Sequence, residues 1–469
     1  MKSLFRISVF TIIALNLGGT LFGLTPGIPL FFAAIAALVS GFPLMSKGFQ
    51  KAAIVFLALG IAMLALGRQP FDVWMKSASS MTNIIAIVAV MQTFIVPIKV
   101  GGYDMAIKSW MEGRFKRRSS LFLFMTFTIH ILTSFLNLGS LPVTVGLFEA
   151  TLKARVPDWR RFFARVSTRG YVLATLWSPG AVNLSLVVQA SGLTWSKVFV
   201  PGFILACLGM GVSYLAEVFG KQGKEELPAE RRDAEDLANA EALVGQLPEP
   251  EKRAEGGRIV HILFVVGSFV LVAALLEWLH IGAASGRTVL AGAFIVLCWI
   301  LSLARRPGMK EALKTQWLQG ILKVADIAPF FVAMGVFSGA LEVSGLLEMA
   351  APFIKAAAVS LGAASIIFVA GGIVAGSIVG LHPFITIVLF GKILSYIALP
   401  IPPITVALAL AVGGAAAYMV TPFAGVIMTI SRLIDTKAVD VALRWNWRFS
   451  ILFFAAGLVY AFGWGALFG

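Results

Sequence analysis

The chain has 469 residues, 59% of them hydrophobic, with a mean hydropathy of +0.90, against about 45–50% apolar in ordinary soluble domains. That excess excludes a soluble core, and the length of the apolar runs excludes a transmembrane barrel, which would show strands of ~10 alternating residues. The net charge of +15 does not point to nucleic acid, because the basic residues lie in short loops between apolar runs, as orientation in a bilayer requires.

In chain order, the apolar runs predict spans at 7–22, 26–43, 51–67 and 80–97, then a segment of another kind at 120–150, and spans at 171–193 and 197–218. Lys2 and Arg6 followed by an apolar stretch resemble a signal peptide, but no Ala-x-Ala site follows, so the segment reads as a retained span. A polar stretch from Gly220 to Gly257, rich in charge and holding Pro228, Pro248 and Pro250, reads as a mobile cytoplasmic linker (220–257). It separates a first membrane repeat (1–219) from a second (258–469). The second repeat has spans at 259–279, 287–304 and 319–341, a second special segment at 357–399, and spans at 403–430 and 449–467. Cys207 and Cys298 both fall inside spans, which argues against a disulfide or metal role.

With a cytoplasmic N-terminus, the inward loops hold 31 of the 38 Lys and Arg residues. The expectation is a multi-pass protein of the bacterial cytoplasmic membrane with its C-terminus outside. Basic clusters then bracket 120–150 on the same side: Arg114 to Arg118 before it, Lys153 to Arg169 after it. One crossing is excluded, and two need about 40 residues plus a turn. A re-entrant hairpin entering from the cytoplasm fits. Segment 357–399 is long enough for two spans or a hairpin; its place in the second half favours a hairpin from outside.

The halves repeat. Span 51–67 aligns with 287–304, and 80–97 with 319–341. Thr133-Ser-Phe-Leu-Asn-Leu-Gly-Ser-Leu-Pro-Val-Thr144 aligns with Gly376-Ser-Ile-Val-Gly-Leu-His-Pro-Phe-Ile-Thr386. Thr175-Leu-Trp-Ser-Pro-Gly-Ala-Val-Asn183 aligns with Tyr418-Met-Val-Thr-Pro-Phe-Ala-Gly425. In the last pair a hydroxyl residue precedes a mid-span proline, which removes a backbone donor and breaks the helix. The fold class expected is an all-α polytopic membrane protein of about 11 transmembrane helices plus two re-entrant hairpins in two inverted-topology repeats. This is a plan in which broken helices form a transport site.

This order of spans, opposed hairpins and broken helices resembles the ion transporter superfamily, which includes citrate-transporter-like and divalent anion:sodium symporters. The resemblance covers nearly the whole chain. Symporters of that family carry Ser-Asn-Thr at both hairpin tips; here the order is Asn137, Ser140, Thr144 in one and Ser377, His382, Thr386 in the other. The resemblance therefore speaks for the scaffold rather than for dicarboxylate specificity.

The expected substrate and ion site joins Asn137, Gly139, Ser140, Thr144, Ser178, Pro179 and Asn183 of the first half with Ser377, His382, Pro383, Thr386, Thr421 and Pro422 of the second. Half-helix N-termini suit an anion, while unwound carbonyls and side-chain oxygens suit Na+. The same small polar residues also serve helix kinking and packing. His382 can donate to a carboxylate or simply bond a neighbouring backbone group, and His130 reads as a packing residue. Asp326 costs about 2.5–3.5 kcal/mol in a membrane interior, which makes it the candidate coupling group; Lys323, three residues earlier, is placed to pair with it. Trp74, Trp110, Trp195, Trp317 and Trp445 lie near span ends and suit interfacial anchoring.

No ATP-binding, nucleophile-elbow or zinc motif occurs, so no cofactor is expected beyond Na+ or H+ as coupling ion. The leading expectation is a cation-coupled symporter of a small anion working by alternating access; a homodimer is compatible with the scaffold. A Na+/H+ antiporter using Asp326 and a membrane-embedded enzyme acting on lipid-linked substrates are the alternatives.

Overall fold

The computed structural model describes residues 1–103, 105–107, 114–220, 226–227, 249–283, 286–395 and 401–468. Trp110 and most of the expected linker lie outside these residues. Helices account for the regular structure among the described residues, apart from one isolated bridge between Arg117 and Glu226.

Apolar residues run through every long helix, and glycine and proline set the breaks. Helices α1 (Lys2–Phe22), α2 (Gly27–Gly41) and α3 (Lys47–Leu66) precede one interrupted run made of α4 (Phe71–Ser79), α5 (Thr82–Thr93) and α6 (Ile95–Gly101). Helices α7 (Arg118–Leu136) and α8 (Ser140–Arg155) meet at a 3-10 turn, Asn137–Gly139. Helices α9 (Trp159–Ala174) and α10 (Val182–Ser191) are two arms of a broken helix, and α11 (Trp195–Val218) closes the half.

The second half begins with α12 (Glu249–Trp278) and α13 (Arg287–Ser302). Helix α14 (Met309–Thr315) continues through a π turn and a 3-10 turn into α15 (Ala328–Val343). Helix α16 (Leu346–Leu361) leads to α17 (Ser365–Ile378) and α18 (Pro383–Ser395), which pack on each other as a second hairpin. The other broken helix is α19 (Pro403–Val420) with α20 (Gly425–Leu433), and α21 (Trp447–Phe468) ends the chain. The second hairpin is tighter than the segment 357–399, because α16 takes up residues as far as Leu361. Its arms are 14 and 13 residues long, about 20 Å each, whereas the hydrocarbon layer is about 30 Å thick.

Among the described residues, ten helical stretches are long and apolar enough to cross a membrane; Val182–Ser191, Arg287–Ser302 and Ser365–Ile378 are apolar but shorter. The chain is an all-α polytopic membrane protein. The ten fall into two groups. Phe71–Gly101, Arg118–Arg155, Met309–Val343 and Pro403–Leu433 are 72–89% buried over their apolar windows, and the other six are 22–39% buried. The six present apolar side chains outward, as lipid-facing helices do.

The two halves are built from the same contacts. Helix α3 packs on α15 of the other half, and α13 packs on α5. Gly170 of α9 lies against the Thr126 carbonyl of α7, and a Cβ there would stand 2.7 Å from that oxygen. Gly413 of α19 lies against the Ala370 carbonyl of α17, where a Cβ would stand 2.8 Å away. The absence of a side chain is what lets each broken helix approach its hairpin so closely.

Trp195 departs from interfacial anchoring: it is buried and donates to the Trp177 carbonyl at 3.0 Å. Trp177 in turn donates to His130 Nε2 at 2.9 Å, so His130 is held in the interior as a packing and hydrogen-bonding residue.

Candidate functional site

Each broken helix is tied to its own hairpin by an equivalent hydroxyl-to-carbonyl hydrogen bond at the break. The Ser178 hydroxyl, directly before Pro179, donates to the Ser134 carbonyl on α7. The Thr421 hydroxyl, directly before Pro422, donates to the Ser377 carbonyl on α17 at 2.8 Å. The partners are 44 residues apart in both cases. Carbonyls at the end of a helix have no intrahelical donor, and in both halves a hydroxyl released by a proline break satisfies one. The 243-residue offset that takes Ser178 to Thr421 also takes Ser134 to Ser377, Asn137 to Gly380 and Gly170 to Gly413.

The tips each turn on a positive-φ residue but differ in chemistry. Asn137 and Gly380 both have positive φ, 51° and 116°. Asn137 is buried, and its Oδ1 accepts from the Tyr171 hydroxyl at 2.7 Å. At the second tip, His382 Nδ1 accepts the Phe384 amide at 3.3 Å, which caps the start of α18. Its ring stands 4.6 Å from Phe384, 5.4 Å from Phe49, 6.0 Å from Phe330 and 6.1 Å from Tyr418.

A cavity of about 330 Å³ lies where the tips converge. Gly139 and Pro142 of the first hairpin and His382 and Phe384 of the second line it, together with Tyr171 and Tyr418 from the two broken helices. Gln92 of α5 forms another wall and stands close against Gly139. Lys323, Asp326 and Arg432 supply its charge. Asp326 is half-buried and accepts the Ser46 amide at 2.5 Å. The expected pairing of Lys323 with Asp326 does not form. The 3-10 turn that holds Lys323 ends at Val324, and Asp326 lies in the irregular turn that follows, so the two do not share a face of one helix.

Of the expected site residues, the structure brings Gly139, His382 and Asp326 to this cavity. Asn137 is behind it, joined through Tyr171. Ser140, Thr144, Ser178, Ser377, Thr386 and Thr421 are buried with their hydroxyls engaged: Ser140 on the Asn137 carbonyl and Thr133, Thr144 on the Leu141 carbonyl, and Thr386 on the Pro383 carbonyl. Pro383 is the first residue of α18, and Pro422 sits in the second break. Pro179 lines a different cavity of about 480 Å³ with Asn83, Gln189, Glu277 and Arg287. Asn183 is buried against Gly414 with neither end of its amide bonded within the protein. Tyr171, Tyr418 and Gln92 were not anticipated. One signal for the tyrosines existed: the chain has 6 tyrosines, and one stands shortly before each hydroxyl–proline break.

Two hairpin tips and two broken helices converge on one cavity, the kind of arrangement in which transporters build their sites. A solved structure that it resembles in fold is that of a transporter. The YdaH transporter of Alcanivorax borkumensis, described as having an unusual topology, matches with a TM-score of 0.61 at 13% identity over 89% of this chain and 99% of that one. MtrF of Neisseria gonorrhoeae, described within a class of antimetabolite efflux pumps, aligns at a TM-score of 0.40 and 13% identity, covering 100% and 95% of the two chains; that superposition is too loose to establish a shared fold. No protein-family profile and no curated relative matches the sequence. The fold is therefore that of a transporter, and nothing in these likenesses singles out the citrate and divalent-anion symporters.

Proposed function

We propose that the protein is a secondary active transporter that carries a small anion together with Na+ or H+ by alternating access. The observation that carries this reading is the cavity between the tips, where Gly139, His382, Tyr171 and Tyr418 converge from both halves beside Lys323 and Arg432. Two cationic side chains and one carboxylate give the lining a net positive charge, which favours an anionic solute. The tyrosine hydroxyls and Gln92 add neutral hydrogen-bonding groups that orient it. Movement of the hairpins against the scaffold of α3, α5, α13 and α15 would expose the cavity to each side in turn. The scaffold of the ion transporter superfamily and a homodimeric assembly are compatible with this arrangement and belong to the same proposal.

Asp326 favours H+ over Na+ as the coupling ion. It faces the cavity, where the Ser46 amide is its one hydrogen-bond partner among the described residues, and carboxylates within membrane segments mark proton pathways. The same placement serves exchange of Na+ for H+, the second reading.

The test is flux into proteoliposomes under imposed Na+ or proton gradients, with a panel of carboxylates and inorganic anions. Gradient-dependent anion uptake is expected, and Asp326→Asn should cut it at least tenfold while leaving anion binding by thermal shift in place. Anion-independent Na+/H+ exchange would support antiport instead. No gradient-dependent flux of any solute would overturn the transport reading.

A further inference from the structure

A cavity away from the tips has a composition the transport site does not explain. It measures about 860 Å³ and is bounded by α9, the end of α11 and the start of α21. Arg161, Arg165, Arg169, Arg444 and Arg448 line it, with Glu217 as its one acidic side chain. That carboxylate is already engaged, by Arg165 at 2.7 Å and by Arg118 at 3.2 Å. Arg118 also holds Asp158 through two bonds of 2.7 and 3.0 Å. Among the described residues, no ion pair engages Arg161, Arg169 or Arg448.

Arg169 makes the cavity a built site. It is buried, and among the described residues its guanidinium hydrogen-bonds to neutral oxygens alone, Ser213 Oγ at 3.1 Å and Asn446 Oδ1 at 3.4 Å, with the Phe449 ring 4.4 Å away. A buried cation with no carboxylate in contact keeps most of its desolvation cost unless an anion joins it. The other wall is apolar and open to the side: Phe219 is 81% exposed, Leu452 49% and Trp447 42%. A free phosphate needs only the arginines. A ligand with a phosphodiester and hydrocarbon tails uses both walls.

We propose that this cavity binds the phosphodiester headgroup of an anionic phospholipid. Arg161, Arg169 and Arg448 contact the phosphate, and the acyl chains lie over Phe219, Trp447 and Leu452 between α11 and α21. Planar guanidinium forks suit phosphate oxygens, and basic pockets between membrane helices are the setting in which lipid headgroups are recognised. The bound lipid would tie the entry of the first broken helix, α9, to the helices that close each half. The inference does not depend on what passes between the hairpin tips.

The purified full-length protein in neutral detergent, titrated with dioleoyl-phosphatidylglycerol or dioleoyl-phosphatidylcholine, provides the test. Phosphatidylglycerol should raise the melting temperature and survive as adducts in native mass spectrometry; phosphatidylcholine should do neither. Arg161→Gln combined with Arg448→Gln should weaken the phosphatidylglycerol response about tenfold, while Lys2→Gln with Arg6→Gln, which removes the same charge elsewhere, should leave it intact. If the first pair fails to fold, Arg444→Gln at the exposed rim should still weaken it about threefold. Equal responses to the two lipids, equal losses in both charge-removal pairs, or full reproduction of the effect by inorganic phosphate would each overturn the proposal.

Discussion

The two hairpin tips occupy equivalent places in the two halves and are held by the same hydroxyl-to-carbonyl bond, yet they present opposite surfaces. The first tip is sealed: Asn137 is buried and spends its carboxamide oxygen on Tyr171. The second is open, with Val379, Gly380 and Leu381 exposed and His382 set among aromatic rings at the cavity wall. The framework is thus duplicated while the chemistry is not. The contacts that fix the backbone recur at one offset, and those that meet a solute differ, which is the division expected if the repeat supplies motion and the side chains supply selectivity.

The largest effect expected from breaking this symmetry lies at the glycines where each broken helix meets its hairpin. Valine at Gly170 or Gly413 would put Cβ within 2.7–2.8 Å of a carbonyl oxygen, and backbone cannot yield as a side-chain end can. Each substitution should cost about 3 kcal/mol or more, and the two losses should be alike. Monodispersity and melting temperature in detergent would show it; a variant of either kind that keeps the parent melting temperature would break the equivalence of the halves.

Next come the two ties. Ser178→Ala and Thr421→Ala each remove the hydroxyl donor from a buried carbonyl, a loss of about 0.5–1.5 kcal/mol, with the Ser377 carbonyl keeping the Gly380 amide at 3.3 Å. Melting temperatures should fall by similar amounts in the two variants and additively in the double variant, since the sites belong to different halves. A strong departure from additivity would mean that the ties communicate through the cavity between them.

The duplicated framework was legible in the sequence because it is written locally. A hydroxyl before a proline, a glycine or asparagine at a turn and basic clusters around a short apolar pair each act within a few residues of themselves. That was enough to place α7 and α8 around Asn137 and to align Ser178 with Thr421. The cavity was less legible because its walls come from distant segments: Gln92 and Tyr171 from one half, Lys323 and Tyr418 from the other. Small polar residues were expected to face the site, and most of them instead satisfy the backbone inside the hairpins. In a membrane interior without water, a free hydroxyl is first drawn to the nearest carbonyl. Asp326 and Lys323 misled for another reason, since the spacing rule that pairs them presumes one continuous helix, and the chain leaves its 3-10 turn at Val324, before Asp326.

The smallest effect concerns the tips themselves. Asn137 holds φ 51° and ψ −132°, a conformation that suits glycine and strains a residue with a Cβ by about 1–3 kcal/mol. Gly380, at φ 116°, holds its turn without that strain. Asn137→Gly makes the first tip resemble the second: it relieves backbone strain and gives up the Tyr171 bond, worth about 1 kcal/mol, so the melting temperature should hardly move. Gly380→Ala does the reverse and should lower it by the equivalent of about 1 kcal/mol, because the open surroundings impose strain without a clash. The informative reading is flux. If the sealed tip matters for the solute through the Asn137–Tyr171 pair, Asn137→Gly and Tyr171→Phe should change transport equally, although Tyr171→Phe, which leaves the buried Asn137 Oδ1 without its donor, should also cost about 1 kcal/mol or more of stability. Unequal changes would mean that the tyrosine hydroxyl meets the solute directly and that the asparagine only holds the turn.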